Sequence, residues 1–102
     1  MKSPDVVAST CGNYSATYDA ETNTFTLFDP GGSIGSLAID DLSVGCGELG
    51  RNHSYKLERR RAGLIYKLTI IRTTKQEELL EVVFDRLFDT LTVLFNWRCR
   101  SE

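Results

Sequence analysis

The stretch from Lys75 to Trp97 constrains the fold more than any other part of this chain. Its polar residues Glu78, Glu81, Asp85, Asp89, Thr92 and Asn96 are spaced by three, four, four, three and four positions. At about 100° per residue that spacing is one stripe of an α-helix. Leu79, Leu80, Val83, Phe84, Leu87, Phe88, Leu91, Leu94 and Phe95 lie opposite, with Leu87 near the centre of the apolar arc. A strand requires alternation, which Leu79-Leu80, Val82-Val83 and Leu94-Phe95 all break. The start is marked as well, because Thr74 and Glu77 have the spacing of a capping box. Glu77 and Glu78 would sit at the positive end of the helix dipole, and Arg98 and Arg100 at the negative end. The pattern predicts a long amphipathic helix.

Upstream the texture changes to short alternating runs parted by turn residues, the pattern of strands. Asn13–Asp19 places Tyr14, Ala16 and Tyr18 on one face, and Thr22–Phe28 places Phe25 and Leu27. Asp29-Pro30-Gly31-Gly32 reads as a turn, followed by a short strand over Ser33–Ile39. Asp40–Arg51 is glycine-rich and reads as loop. His53–Arg60 and Leu64–Arg72 form a hairpin whose core face carries Tyr55, Leu57, Leu64, Tyr66, Leu68 and Ile70. The expected architecture is α+β: a single domain over residues 1–102, with an antiparallel sheet of about five strands, built from meanders and hairpins, and one long C-terminal helix packed across one face.

The chain has 102 residues, enough for one domain and its own core. Its three cysteines, Cys11, Cys46 and Cys99, follow no ligand or framework spacing. No apolar run approaches the roughly 20 residues that span a bilayer, and the N-terminus lacks the pattern of a secretory signal. The expectation is a cytoplasmic protein with no membrane partner.

Charge is distributed in blocks along the chain. The first fifty residues are acidic; Arg51 to Lys75 hold eight bases against Glu58 alone; the remainder is acidic again, for a net charge of −2. Lys56, Arg59, Arg60, Arg61 and Lys67 make a basic hairpin, and such hairpins can grip phosphates. The alternation turns Tyr55 and Tyr66 toward the core, so paired or solvated charge is the plainer account of those bases.

No motif names a reaction. Gly45-Cys46-Gly47-Glu48-Leu49-Gly50 spells GxGxxG, but an alternating segment follows it where a dinucleotide site needs a helix. His53 is the only histidine, with no local serine or acid placed to form a triad. No catalytic residue, metal site or cofactor is expected. The apolar arc is wider than a surface helix needs, and Leu79, Val82, Val93 and Trp97 would form an uncovered border along one flank. That border points to a non-enzymatic interaction module, homodimeric or bound to another macromolecule. The alternatives are a small ligand or enzyme pocket between helix and sheet, lined by Tyr14, Tyr18, Tyr66 and Phe84, and nucleic-acid binding through the hairpin of residues 51–75.

Overall fold

In the computed structural model every long element is a strand. The described residues are 5–8, 13–60, 64–88 and 90–95. They form nine strands: β1 (Asp5–Ala8), β2 (Ser15–Asp19), β3 (Thr24–Asp29), β4 (Gly32–Ala38), β5 (Gly45–Leu49), β6 (His53–Arg59), β7 (Ile65–Arg72), β8 (Glu77–Asp85) and β9 (Thr90–Phe95). A single 3-10 turn, Asp41–Ser43, joins β4 to β5. Within each of two sheets every strand pairs antiparallel with its neighbour in the chain, in the order β1-β2-β3-β4 in the first and β5-β6-β7-β8-β9 in the second. The α+β expectation is therefore wrong: this is a nearly all-β protein, and among the described residues no helix packs across a sheet.

The long helix fails for a reason that lies in the ladders. In the β7–β8 register Ile70 opposes Leu80 and Ile71 opposes Glu78, so Leu79 has no partner and forms a bulge. In the β8–β9 register Glu81 opposes Phe95 and Val82 opposes Val93, which makes Leu94 a second bulge. A bulge adds one residue to the two-residue repeat, so outward positions fall three apart across it and two or four apart elsewhere. Glu78, Glu81 and Asp85 follow that rule, and the result imitates helical spacing. Leu79-Leu80 and Leu94-Phe95, whose adjacency argued against a strand, are the bulges themselves. The capping-box pair falls in and beside a turn over residues 73–76, where Gln76 takes a left-handed φ of 50°.

The core lies between the sheets. Ala16, Tyr18, Phe25, Leu27 and Ile34 from the first sheet, with Ile39 just beyond it, meet Leu57, Tyr66, Leu68, Ile70, Leu79, Leu80, Val82 and Phe84 from the second. Phe84 touches Tyr18 with ring centroids 4.6 Å apart and Phe25 at 5.7 Å, the tilted and edge-on geometries that aromatic rings favour. At β4–β5 the sheets adjoin. Ile34 is a bulge between Leu27 and Phe28, and its carbonyl accepts the Gly50 N–H at 2.9 Å. Only glycine fits there, because a Cβ at Gly50 would stand 2.8 Å from that carbonyl oxygen.

Segment 40–51, expected to be loop, contains β5. Gly45 and Gly47 hide the strand from the alternation test, and the Tyr55 ring packs over Gly47 where a side chain would displace it. Leu64, expected in the core, is exposed.

Candidate interaction surface

Because every connection simply reverses direction, the turns segregate to two ends. One end collects the turns 30–31, 50–52 and 73–76; the other collects the turn 20–23, the 3-10 turn, the β6–β7 connection and the β8–β9 turn.

The first end is polar and tightly tied. His53 is buried, with 6% of its surface exposed. Its Nδ1 lies 3.2 Å from the Gly50 carbonyl, which can only accept, so Nδ1 carries the proton. In the neutral ring Nε2 then accepts from the Tyr14 hydroxyl at 3.1 Å, while Arg72 donates to the same hydroxyl at 3.1 Å. Tyr14 leads into the first sheet and the other two belong to the second, so the chain of hydrogen bonds staples the layers. Arg51 adds a further tie, pairing with the Asp29 carboxylate and donating to the Gly31 carbonyl at 3.2 Å. Burial opposes charge on Asp29, yet hydrogen bonds from Arg51 and the Gly31 N–H, with the charge of Arg51 beside it, hold its carboxyl below the usual range.

The second end is built differently. Asp40 accepts from the Leu42 N–H at 3.0 Å and the Ser43 N–H at 3.2 Å. Asp85 accepts from the Leu87 N–H at 3.0 Å and the Phe88 N–H at 3.4 Å. Two separate turns thus have one design: a carboxylate satisfies the tip's own amides, and the apolar side chains project outward. Leu42 is 95% exposed, Leu87 66% and Phe88 67%. Val44 and Leu64 are exposed at the same end, and the Leu64 carbonyl accepts the Arg86 N–H at 2.8 Å, placing the β6–β7 and β8–β9 turns side by side. The 3-10 turn is anchored to the same rim, because Asp41 accepts from the Tyr66 hydroxyl at 2.7 Å and from Arg59 at 3.1 Å. The hydrogen bond to Asp41 and burial together push the Tyr66 phenol above its ordinary value. Beneath the tips Arg86 donates to the Tyr18 hydroxyl at 2.8 Å, which binds the first sheet to the second. Among the described residues, every strongly exposed large apolar side chain except Val6 belongs to this end.

No family model matches the sequence, and no characterised protein or solved structure shows significant similarity to the chain. The functional reading rests on the geometry alone.

The expected site residues are dispersed by this fold. Leu79 and Val82 are fully buried in the core, so the helix border they were to form does not exist. Val93 holds the ladder position opposite Val82, its side chain lies outside the described residues, and so does all of Trp97. Tyr18 and Phe84 fill the core against each other, Tyr66 lies opposite Phe84 in the ladder, and Tyr14 stands at the far end with His53; the four do not enclose one space. Of the basic hairpin, Arg59 pairs with Asp41 and Lys67 with Glu81 at 3.1 Å each. Lys56 and Arg60 are exposed, and Arg61 lies outside the described residues. The hairpin occupies the middle of the second sheet, not an edge, and acids interleave its charges. Among the described residues no group of three His, Cys, Asp or Glu side chains is placed to hold a metal ion. No helix among them is long and apolar enough to cross a membrane.

Sequence reasoning missed Leu42, Leu87 and Phe88 as surface residues. The signal was present: each tip is an aspartate followed two positions later by leucine, the spacing of a carboxylate that closes an Asx turn.

Proposed function

We propose that this protein is a non-enzymatic interaction module that meets its partner through the apolar end. The observation that carries the reading is the gathering of Leu42, Val44, Leu64, Leu87 and Phe88 at one end, since scattered single apolar residues are ordinary but a concentration of them marks a contact surface. The two aspartate-closed tips have amides of Leu42, Ser43, Leu87 and Phe88 satisfied internally, so they can enter a dry contact without stranding those donors. Cytoplasmic residence belongs to the same proposal, supported by the free, exposed thiol of Cys46, which suits a reducing compartment.

A photo-crosslinking side chain placed at position 42 or 88, and for comparison at 52 or 74, tests the reading in cells that produce the protein. Adducts are expected from the first pair only. Adducts confined to positions 52 and 74 would overturn it.

A further inference from the structure

The apolar end has a second property besides exposure. Its apolar side chains stand on three separate turns along the rim of the second sheet, from the 3-10 turn beside β5 to the β8–β9 turn. With strands about 4.8 Å apart, that rim is on the order of 20 Å long. A protein partner would need a matching socket for each projecting tip. A fluid phospholipid surface receives all of them without one.

Charge along the rim points the same way. Among the described residues the carboxylates of this stretch are engaged within the protein: Asp40 with the Leu42 and Ser43 amides, Asp41 with Arg59 and Tyr66, and Asp85 with the Leu87 and Phe88 amides. Arg60 is exposed between the two aspartate-closed tips and, among the described residues, its guanidinium has no partner. A cation between apolar tips is positioned to meet phosphate while the tips enter the acyl boundary, its stem lying along apolar surface. Of the exposed acids described at this end, Glu21 sits on the turn of the other sheet, away from that rim, and Asp41 is paired with Arg59.

We propose that Leu42, Leu64, Leu87 and Phe88 insert shallowly into a phospholipid membrane, with Arg60 at the headgroup phosphates. The inference rests on the reading that the apolar end is the contact surface, and it goes beyond that reading by naming the surface met. The chain need not span a bilayer to bind in this way, because loop tips reach only the interface.

Flotation with vesicles of phosphatidylcholine, and of phosphatidylcholine mixed with phosphatidylserine, tests it on the full chain. Binding to both is expected, with the mixed vesicles preferred and that preference reduced in Arg60→Glu. Leu87→Ser combined with Phe88→Ser should weaken partition about tenfold or more, given the transfer energy of two large side chains, with an unchanged melting curve because both residues are exposed. Thr74→Leu, which adds an apolar residue to the opposite end, should leave partition unchanged. Failure of the wild-type chain to float, or flotation indifferent to the double substitution, overturns the membrane proposal. A concentration-dependent dimer without vesicle binding would assign the same rim to a second copy. Protein adducts from positions 42 and 88 without vesicle binding would likewise end the membrane proposal while leaving the interaction-module reading intact.

Discussion

The two ends of this protein differ in how their turns spend polar side chains, although Arg86 ties the sheets at the apolar end as well. At the polar end, Tyr14, His53, Arg72, Arg51 and Asp29 reach across the gap between sheets, and the turns expose polar residues such as Asn52, Thr74, Lys75 and Gln76. At the apolar end Asp40 and Asp85 bond to amides of their own turns, which turns the local chain inward on itself and leaves leucine and phenylalanine facing out. The same kind of residue holds layers together in one place and builds a projecting tip in the other. Polarity at a loop therefore does not report whether the loop is a surface for contact; the direction in which its polar atoms are spent does.

If the polar end is a structural staple, damage there should be felt most. His53→Leu removes the acceptor of the Tyr14 hydroxyl and the donor to Gly50, and should lower stability by about 2–3 kcal/mol in urea denaturation. A loss below ~0.5 kcal/mol would mean that the network does not couple the sheets.

Arg51 sharpens the same point, since its φ of 56° is left-handed, a region where glycine is at ease and arginine is not. Arg51→Ala keeps the unfavourable backbone and loses the pair with Asp29, for a cost of about 1 kcal/mol. Arg51→Gly loses the pair but relieves the backbone and should fall close to the wild type. Chemical denaturation of both variants checks the order.

Titration separates the ends by sign. Asp29, whose carboxyl is held below its ordinary value, contributes stability that is fully present above the unfolded-state carboxyl value and lost as pH falls through the lower folded one. Tyr66, held above its ordinary value, contributes stability present below the unfolded phenol value and lost as pH rises through the folded one. In melting curves, Asp29→Asn should flatten the acid limb alone and Tyr66→Phe the alkaline limb alone.

The smallest effect is expected at the tips. Leu42→Ser and Leu87→Asp should each change stability by less than about 0.5 kcal/mol, because neither side chain is buried. For Leu87 this reverses what a helix would demand, where an acid in the centre of the packed arc would unfold the domain. A large loss in thermal denaturation at either position would show that the apolar end is structural after all.

The contrast between ends was partly legible in the residues. Alternation marks β2, β3, β4, β6 and β7, and it turns Tyr18, Phe25, Leu27, Leu57, Tyr66, Leu68 and Ile70 inward, as the structure has them. It fails wherever the ladder is irregular. Leu79 and Leu94 are bulges, and a pattern test with a fixed period reads a bulged strand as a helix. β5 is hidden because its glycines carry no side chain to register inside or outside, and β1 is only four residues long. The apolar end is hidden by the same spacing, because a helical period places Leu87 and Phe88 in a packed arc and not at a turn. The polar network depends on residues 39 and 58 positions apart, a separation that no local pattern encodes.

The meander also sets how this chain finds its structure. Every ladder joins strands consecutive in sequence, so each sheet can assemble hairpin by hairpin with short loops to close. The ties between sheets are of another order, with the Arg86–Tyr18 hydrogen bond spanning 68 positions. Docking of two locally formed sheets, with Phe84 settling between Tyr18 and Phe25, is then the slow, entropy-limited step. Because the turns close before that step, substitutions that weaken them should retard folding, and substitutions at the aromatic contact should do so to the extent that it has formed in the transition state.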